Sequence, residues 1–326
     1  MLGQQDVGHR VVVRHLVGQR HGRPLYTDVL GELTAISDTA LTVATDTGST
    51  TVTRASVVAA KRIPPRPVTR RAVAALERAA NDAWPAPVQE PLGEWLLRAA
   101  DGWSWRANSA LPLGEAGMPV EAAVDQVERW YAARGLPARV SVPLPLATRV
   151  DRALDGRGWR RREPVLVQTA PLAVVRPAAT DPPAGDRMVL ADQPDEAWLA
   201  LTGTARHTGP GPLPEAARYV LTAGGAWPVR FAYLYDDAGG LVGAGRGTVT
   251  GAGQWLGLSR VTVVPSARGR GLARRVVAAL ASWAAEVGAT DVFLQVEEGN
   301  TAAVALYARL GFATHHTYVA REPASD

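Results

Sequence analysis

The sequence predicts an α/β (α+β) protein, in which a small antiparallel β-barrel precedes two mixed-sheet domains and the first of these is a degenerate copy of the second. Three observations support this. Short β-branched runs separated by turn residues fill the N-terminal segment. Two proline-rich stretches, residues 63–67 and 171–187, interrupt the chain. One constant offset relates many residues of the last two segments. The expected domains are residues 1–63, 71–172 and 187–326.

The N-terminal segment has the pattern of a small barrel. Its strand candidates are residues 11–13, 29–36, 41–43 and 52–58, which are apolar or β-branched. Turn-forming residues separate them, including Gly22, Gly31, Asp38 and Gly48. The pattern is similar to that of SH3-like barrels. Such a domain is either a protein-partner module or a structural appendage, and the sequence leaves both open.

The composition is that of a globular protein. Of the 326 residues, 47% are apolar and 20% charged, which suits chains that bury a core. The absence of cysteine excludes disulfides, thiol nucleophiles and cysteine metal sites. The first ten residues lack a signal-peptide pattern and no apolar stretch reaches the about 18 residues that span a bilayer, so we expect a cytoplasmic protein. No basic run is interleaved with aromatic residues, so nucleic-acid binding is not expected.

An offset of 153 positions relates the middle segment (residues 71–172) to the C-terminal segment (residues 187–326), as between Gly158 and Gly311. Without a gap, the same offset pairs Pro112 with Pro265, Val124 with Val277, Val127 with Leu280, Trp130 with Trp283 and Trp159 with Phe312. Solenoid repeats have periods of about 20–50 residues, so an offset of this length indicates a duplicated domain.

A glycine-rich turn lies between a strand candidate, residues 254–264, and a helix in the C-terminal segment. The helix has apolar residues on one face, at Leu272, Val276, Leu280 and Trp283. Because a helix N-terminus offers free N–H groups and a positive dipole end, this order suits a pyrophosphate. Gly269 and Gly271 let the backbone approach the phosphate oxygens, and Arg268 and Arg270 add positive charge.

These residues resemble those of the GNAT (N-acetyltransferase) superfamily over about residues 188–321. The family signature Arg/Gln-x-x-Gly-x-Gly/Ala is present as Arg268, Gly271 and Ala273. A strand over residues 291–296 and a helix over residues 301–310 follow. The frequent family ending is present at Asn300, Ala303, Tyr307, Gly311 and Phe312. With its N-terminal segment, the chain resembles actinobacterial tandem-GNAT proteins that carry an SH3-like N-terminal domain.

The resemblance implies that acetyl-CoA binds as acyl donor. The backbone of Val263 and Val264 would pair with the pantetheine arm, and Asn300 would contact the pantetheine or the attacking amine. Tyr307 would protonate the departing thiolate, because the unperturbed pKa of a phenol, about 10, lies above that of a thiol. Alternatively, Tyr307 is a core aromatic residue. The N–H groups that would hold the pyrophosphate belong to Arg268, Gly269, Arg270, Gly271, Leu272 and Ala273.

The proton acceptor does not follow from the resemblance. Many GNAT enzymes have a glutamate on the fourth strand, but residues 254–262 contain neither carboxylate nor histidine. Glu297, Glu298 and His207 are the candidates, each with a solvated surface position as the alternative. No metal site is expected, since the adjacent His315 and His316 would point to opposite faces of a strand.

The middle segment has lost the residues that carry the chemistry. At the 153-residue offset, Glu115 replaces Arg268, Met118 replaces Gly271, Ala147 replaces Asn300 and Leu154 replaces Tyr307. We therefore expect one CoA site in the chain. Trp95, Trp103 and Trp105 either line the acceptor pocket or belong to a sheet core.

Two functions fit this sequence. The first is an N-acyltransferase that moves acetyl from acetyl-CoA to a primary amine, of a small molecule or a peptide, by direct attack in a ternary complex. The second is an acyl-CoA-sensing adaptor protein whose barrel docks a partner. The intact glycine turn and Tyr307 favour catalysis.

Overall fold

The computed structural model describes residues 2–45, 47–63, 68–176, 186–203 and 213–324. The chain forms two compact units, Met1–Pro67 and Val68–Asp326. The central parts of both proline-rich stretches and the candidate His207 lie outside the described residues. No helix in the described part is long and apolar enough to cross a bilayer.

The first unit is a five-stranded antiparallel sheet. Its strands are β1 (Arg10–Arg20), β2 (Arg23–Ile36), β3 (Ala40–Thr45), β4 (Gly48–Thr53) and β5 (Val57–Arg62). The order is β4-β3-β2-β1-β5, so β4 and β5 lie at the two edges. Alternate residues face one side, where Val11, Leu33 and Val43 are fully buried. At Gly31 an added Cβ would lie 2.0 Å from the Ala44 carbonyl oxygen, so β2 can approach β3 only with glycine there. The predicted small β-domain is confirmed.

The second unit contains two sheets. The smaller one has β6 (Val88–Leu92), β7 (Trp95–Ala99) and β8 (Leu111–Pro112) in that order. The larger one has nine strands: β9 (Val140–Leu144), β10 (Arg160–Arg161), β11 (Val165–Pro171), β12 (Arg187–Ala191), β13 (Val229–Tyr235), β14 (Leu241–Thr250), β15 (Trp255–Val263), β16 (Asp291–Glu297) and β17 (Ala313–Glu322). Its order is β10-β17-β11-β16-β15-β14-β13-β12, with β9 also paired to β17. The ladder between β15 and β16 is parallel and the others are antiparallel. This mixed sheet confirms the predicted fold class.

Eight α-helices lie in the described part of this unit. They are α1 (Arg70–Ala83), α2 (Val120–Ala132), α3 (Thr148–Gly156), α4 (Leu172–Val175), α5 (Glu196–Leu201), α6 (Glu215–Leu221), α7 (Leu272–Glu286) and α8 (Thr301–Arg309). The apolar face predicted for α7 is buried in the main core, with Val276 and Leu280 fully covered. This packing fixes the N-terminus of α7 beside the end of β15.

The helices follow the 153-residue repeat. Helix α3 begins at Thr148 and α8 at Thr301, and a glycine in the left-handed region follows each helix, Gly158 (φ 71°) and Gly311 (φ 87°). Such glycines commonly end helices because they lack a Cβ. The shared start and stop support the proposed duplication.

The two proposed copies exchange strands. Strand β11 precedes the C-terminal segment, yet it lies between β16 and β17. In return, residues 317–321 of β17 pair with β9 of the middle segment. The fully buried Arg321 of β17 also donates to the backbone oxygen of Asp151 at 2.9 Å. The division at residues 172 and 187 therefore stays a proposal, since each copy completes its sheet with a strand of the other.

Candidate active site

Strands β15 and β16 diverge part-way along their length. Their parallel ladder runs from Trp255 opposite Asp291 to Leu258 opposite Leu294. Beyond it, β16 continues to Glu297 paired with β11, while β15 continues to Val263 paired with β14. A bulge at Arg260, which has φ 56°, turns β15 away. This divergence opens a cleft between two adjacent strands, with the backbone of Val263 at its edge.

The glycine loop, residues 268–273, leads from β15 into α7. Gly271 is the N-cap of α7 in the left-handed region (φ 76°), and Gly269 has φ 80°. A Cβ added to either glycine would meet nothing within 4 Å, so open space lies beside the loop. As the N-cap residue, Gly271 has no side chain that could cap α7. Because the first-turn N–H groups of a helix have no intrahelical acceptor, the loop can receive a phosphate group there.

Asn300 and Tyr307 lie on α8, one at its start and one two turns later. The Asn300 side chain accepts from the Ala303 N–H at 3.2 Å, so it caps the helix. Tyr307 is 8% exposed in the main core, with its ring centroid 5.6 Å from that of Phe312. Burial raises the pKa of Tyr307 to about 12. The phenol therefore stays protonated at neutral pH and is available as a hydrogen-bond donor.

A cavity of about 1060 Å³ meets the sheet where β15 and β16 diverge. Strand β15 contributes Leu258, Ser259 and Arg260, and β16 contributes Gln295 and Glu297. The loop after β7, the segments around residues 139 and 160–163, Trp84, and residues of β11 and β17 complete the lining. Six arginines line it, so we call it the arginine-lined cavity: Arg106, Arg139, Arg160, Arg161, Arg162 and Arg260.

Some of the predicted site residues line the arginine-lined cavity and others lie outside it. Glu297 lines the cavity, whereas Glu298, Asn300, Tyr307 and the glycine loop do not. Of the three tryptophans considered for an acceptor pocket, Trp103 and Trp105 line the cavity. Trp95 belongs to the core of the middle segment, where its indole N–H donates to the Gly114 carbonyl at 3.0 Å.

Comparison with known proteins decides the family. The family model described as "Probable histone acetyltransferase Rv0428c C-terminal" matches residues 71–320, and the model described as "Rv0428c N-terminal Sm-like domain" matches residues 5–61. The chain belongs to the Rv0428c-like family of GNAT acetyltransferases. The predicted resemblance to GNAT enzymes is thereby confirmed, and the N-terminal unit is a member of the Sm-like group.

Individual relatives agree with this assignment. The chain is 33% identical to the probable histone acetyltransferase Rv0428c of Mycobacterium tuberculosis, over 97% of this chain and 95% of that protein. It is 30% identical to the uncharacterized N-acetyltransferase YobR of Bacillus subtilis, over 76% of this chain and 98% of that protein. Among solved structures, a GCN5-related N-acetyltransferase from Kribbella flavida shares the fold, with a TM-score of 0.60 at 18% identity, over 80% of this chain and 98% of that one.

In this GNAT enzyme, the middle segment has a different loop where the C-terminal segment has its glycine loop. Pro119, with φ −53°, is the N-cap of α2 in place of a left-handed glycine. The Glu94 carboxylate accepts from the backbone N–H of Glu115 at 2.8 Å. An acidic side chain thus lies at this loop, where it would repel a phosphate. This geometry supports the expectation of one CoA site.

The prediction that the side chains of His315 and His316 point to opposite faces of the strand was wrong. Their side chains lie together, with 2.8 Å between the two Nδ1 atoms, and His316 Nε2 is 2.8 Å from the Glu77 carboxylate on α1. The reason is a register shift between Val167 and Gln168 of β11, where β17 has an extra residue. A bulge suspends the alternation of side chains on which the prediction depended. Even so, no group of three or more His, Asp or Glu side chains in the described part is arranged to hold a metal ion.

Sequence reasoning also missed residues of the cavity lining. Arg106, Arg139 and Gln295 were not singled out, because they lie in separate segments that only the fold brings together. For Arg260 a signal existed. It lies in the strand where the resemblance leads one to expect a carboxylate. A positive charge at that place could have marked Arg260 as a residue of the site.

Proposed function

We propose that the chain transfers the acetyl group of acetyl-CoA to a primary amine by direct attack, in a ternary complex. The observation that carries this proposal is the divergence of β15 from β16 between the glycine loop and the arginine-lined cavity. A thioester placed in this cleft has the phosphate-binding loop on one side and an acceptor cavity on the other. Nucleophile and acyl carbon can then meet between the two strands.

The donor side is formed by residues of the chain that fit a CoA molecule. The open space at Gly269 and Gly271 accommodates the pyrophosphate, and Arg268 and Arg270 add positive charge. The backbone of Val263 and Val264 would pair with the pantetheine, beside the Asn300 cap of α8. Because no cysteine is present, an acyl-cysteine intermediate is excluded.

In this reaction the amine nitrogen forms a bond to the acyl carbon, the C–S bond breaks and the sulfur leaves with the electron pair. Tyr307 would stabilise that sulfur as a hydrogen-bond donor and then supply its proton. With its pKa raised to about 12 by burial, the phenol yields its proton less readily than in water. Burial raises the pKa of a departing thiol in the same way, and this offsets the difference.

Glu297 would receive the proton that the amine loses, through water, since it lines the cavity at the end of β16. The neighbouring Glu298 does not line the cavity, and we do not assign it this role. A cytoplasmic location, where acetyl-CoA is available, agrees with the absence of cysteine.

The test combines calorimetry with a thiol-release assay. We expect acetyl-CoA and desulfo-CoA to bind the full chain at one site, and CoA thiol to be released when a suitable primary amine is added. Micromolar binding with no thiol release from small-molecule amines, lysine peptides or aminoglycosides would contradict catalysis and favour the acyl-CoA-sensing adaptor. The name of the Mycobacterium tuberculosis relative makes lysine peptides a necessary member of that panel.

A further inference from the structure

The arginine-lined cavity has an excess of positive charge. Six arginines line it, against the two carboxylates of Glu163 and Glu297. The three outer arginines have carboxylate neighbours on other elements: Arg160 is 2.8 Å and Arg162 3.9 Å from Glu322, and Arg161 is 3.2 Å from Asp151. Among the described residues, no ion pair joins the inner three, Arg106, Arg139 and Arg260, to a carboxylate.

Two of the inner arginines, Arg139 and Arg260, lie against tryptophan rings. The guanidinium of Arg139 is 4.1 Å from the ring centroid of Trp105, and that of Arg260 is 5.9 Å from Trp103. The Trp103 ring in turn stacks on Trp84 at 5.6 Å. Stacking holds the charged groups in place without neutralising them, because an aromatic face carries no counter-charge.

Several hydrogen-bond donors at this cavity have no partner in the described structure. They are Nε1 of Trp103 and Trp105, Nε of Arg106 and Arg139 and Nε2 of Gln295, all five atoms buried. Trp103 as a whole is only 6% exposed. Buried polar atoms are normally satisfied, and here the unpartnered donors outnumber the one unpartnered acceptor, Gln295 Oε1. The lining therefore offers more unpaired donors than acceptors, close to positive charge.

A further cation lies behind the lining. Arg246 is fully buried and donates to the Leu221 carbonyl at 2.6 Å and to Ser259 Oγ at 3.3 Å, and no carboxylate pairs with it in the described part. Burial, with the nearby Arg106 and Arg260, lowers the pKa of Arg246 to about 9. Burial and Arg106 also lower the pKa of Arg260. Arg246 nevertheless remains charged at neutral pH and adds positive potential.

We propose that the arginine-lined cavity is the acceptor site and that it selects a small amine bearing an anionic group, a phosphate or a carboxylate, next to a flat or apolar portion. This specificity rests on the proposed acetyl transfer. Carboxylates and phosphates accept the hydrogen bonds that the inner arginines and the indoles offer. The tryptophan rings would cover the apolar portion.

The same charges help the reaction. Like charges nearby disfavour a protonated amine, so the cavity lowers the pKa of the bound acceptor and increases its nucleophilic, neutral form. This effect explains how the enzyme functions with Arg260 in the strand where a carboxylate base is common. A lysine-rich peptide would bring several positive charges into this field and is expected to be a poor acceptor.

The test compares matched acceptors. We would measure thiol release with glucosamine and glucosamine 6-phosphate, ethanolamine and O-phosphoethanolamine, tryptamine and tryptophan, and a lysine-rich peptide. We expect kcat/KM for the anionic member to exceed that for its neutral partner at least tenfold in at least one pair. Equal or better use of the neutral member in every pair, or preference for the peptide, would overturn the proposal.

Variants localise the effect. Arg139→Gln and Arg260→Gln should each reduce the anionic preference at least fivefold, Arg139→Lys should retain more of it, and Arg149→Gln should leave it unchanged. Arg149 is an exposed arginine on α3 that does not line the cavity. Its replacement by glutamine removes the same charge as the two cavity variants and therefore serves as the control. Melting temperatures would show that each variant is folded. An identical loss in Arg149→Gln would contradict a local site.

A binding measurement separates this inference from the proposed function. Pyrophosphate is titrated by calorimetry into the full chain already saturated with CoA, so that the glycine loop is occupied. We expect binding that Arg139→Gln weakens at least fivefold. If no amine is acetylated but this binding is observed, the proposed reaction fails and the anion site stands. Absence of pyrophosphate binding would overturn the anion site whether or not acetyl transfer occurs.

Discussion

Glu297 lies directly opposite Val165 in the antiparallel ladder between β16 and β11, and Val165 on its other side lies opposite Tyr318 of β17. A strand from before the C-terminal segment therefore holds the end of β16 on the side away from β15. After Leu258 the bulge at Arg260 turns β15 away while β16 keeps its β11 partner, and this leaves Glu297 at the cavity. The position of the proposed proton acceptor thus depends on a strand that the middle segment contributes.

Replacement of Glu297 tests that role. We expect Glu297→Gln to lower kcat at least tenfold, because the amide cannot accept the proton, and to weaken the dependence of kcat on pH. The control is Glu298→Gln, the same change one residue later on a side chain that does not line the cavity. Equal rates and pH profiles for both variants would exclude Glu297 as the acceptor.

The glycine loop is tested by Gly271→Glu. A glutamate there places bulk and negative charge where the loop is open, so CoA affinity measured by calorimetry should fall at least tenfold, about 1.4 kcal/mol. Gly288→Glu is the matched control: Gly288 also has a left-handed conformation (φ 99°) with open space at its Cβ position, but it follows the other end of α7. Similar losses in both variants would point to general destabilisation instead of a phosphate site.

Tyr307→Phe separates the catalytic role from the packing role. The ring contact with Phe312 remains, whereas the hydroxyl is lost, so we expect kcat to fall by about 10²-fold with CoA affinity nearly unchanged. Tyr131→Phe serves as a control, since this buried hydroxyl donates to the Arg98 carbonyl at 2.8 Å in the middle segment. That variant should lose about 1 kcal/mol of stability with kcat retained. An unchanged kcat in Tyr307→Phe would leave Tyr307 as a core residue.

The paired histidines predict a pH dependence of stability. Burial and the adjacent His316 lower the pKa of His315 from 6.5 to about 4. Between these values the unfolded chain binds a proton that the folded chain does not, so the free energy of unfolding decreases as pH falls from 6.5 towards 4. The contribution is at most about 1.4 kcal/mol per pH unit.

Urea unfolding of the wild type and His315→Gln over this pH range would measure that contribution. The stability difference between them should change with pH, because the variant lacks the titrating ring. His21→Asn, an exposed turn position in the first unit, should run parallel to the wild type. Parallel curves for His315→Gln as well would show that His315 titrates normally.

Local signals determined much of the fold. The helix expected at residues 301–310 is observed as Thr301–Arg309. Its start and end are set by residues next to it in the chain, the cap Asn300 and the glycine Gly311. The strand expected at residues 291–296 is observed as Asp291–Glu297. The bulge at His315 was not predictable in this way, since it depends on which strand β17 pairs with.

The sequence by itself determined the presence of the glycine loop at the start of α7 and the GNAT family, and it is the basis for the proposed degenerate counterpart in the middle segment. These depend on residue order within short segments, where caps, turns and periodicity act locally. Only the tertiary structure decided that β11 lies between β16 and β17 and that Arg106, Arg139 and Arg260 line one cavity. Strand pairing and the charge of a cavity depend on residues that are far apart in the chain, and local sequence patterns do not show which segments come into contact.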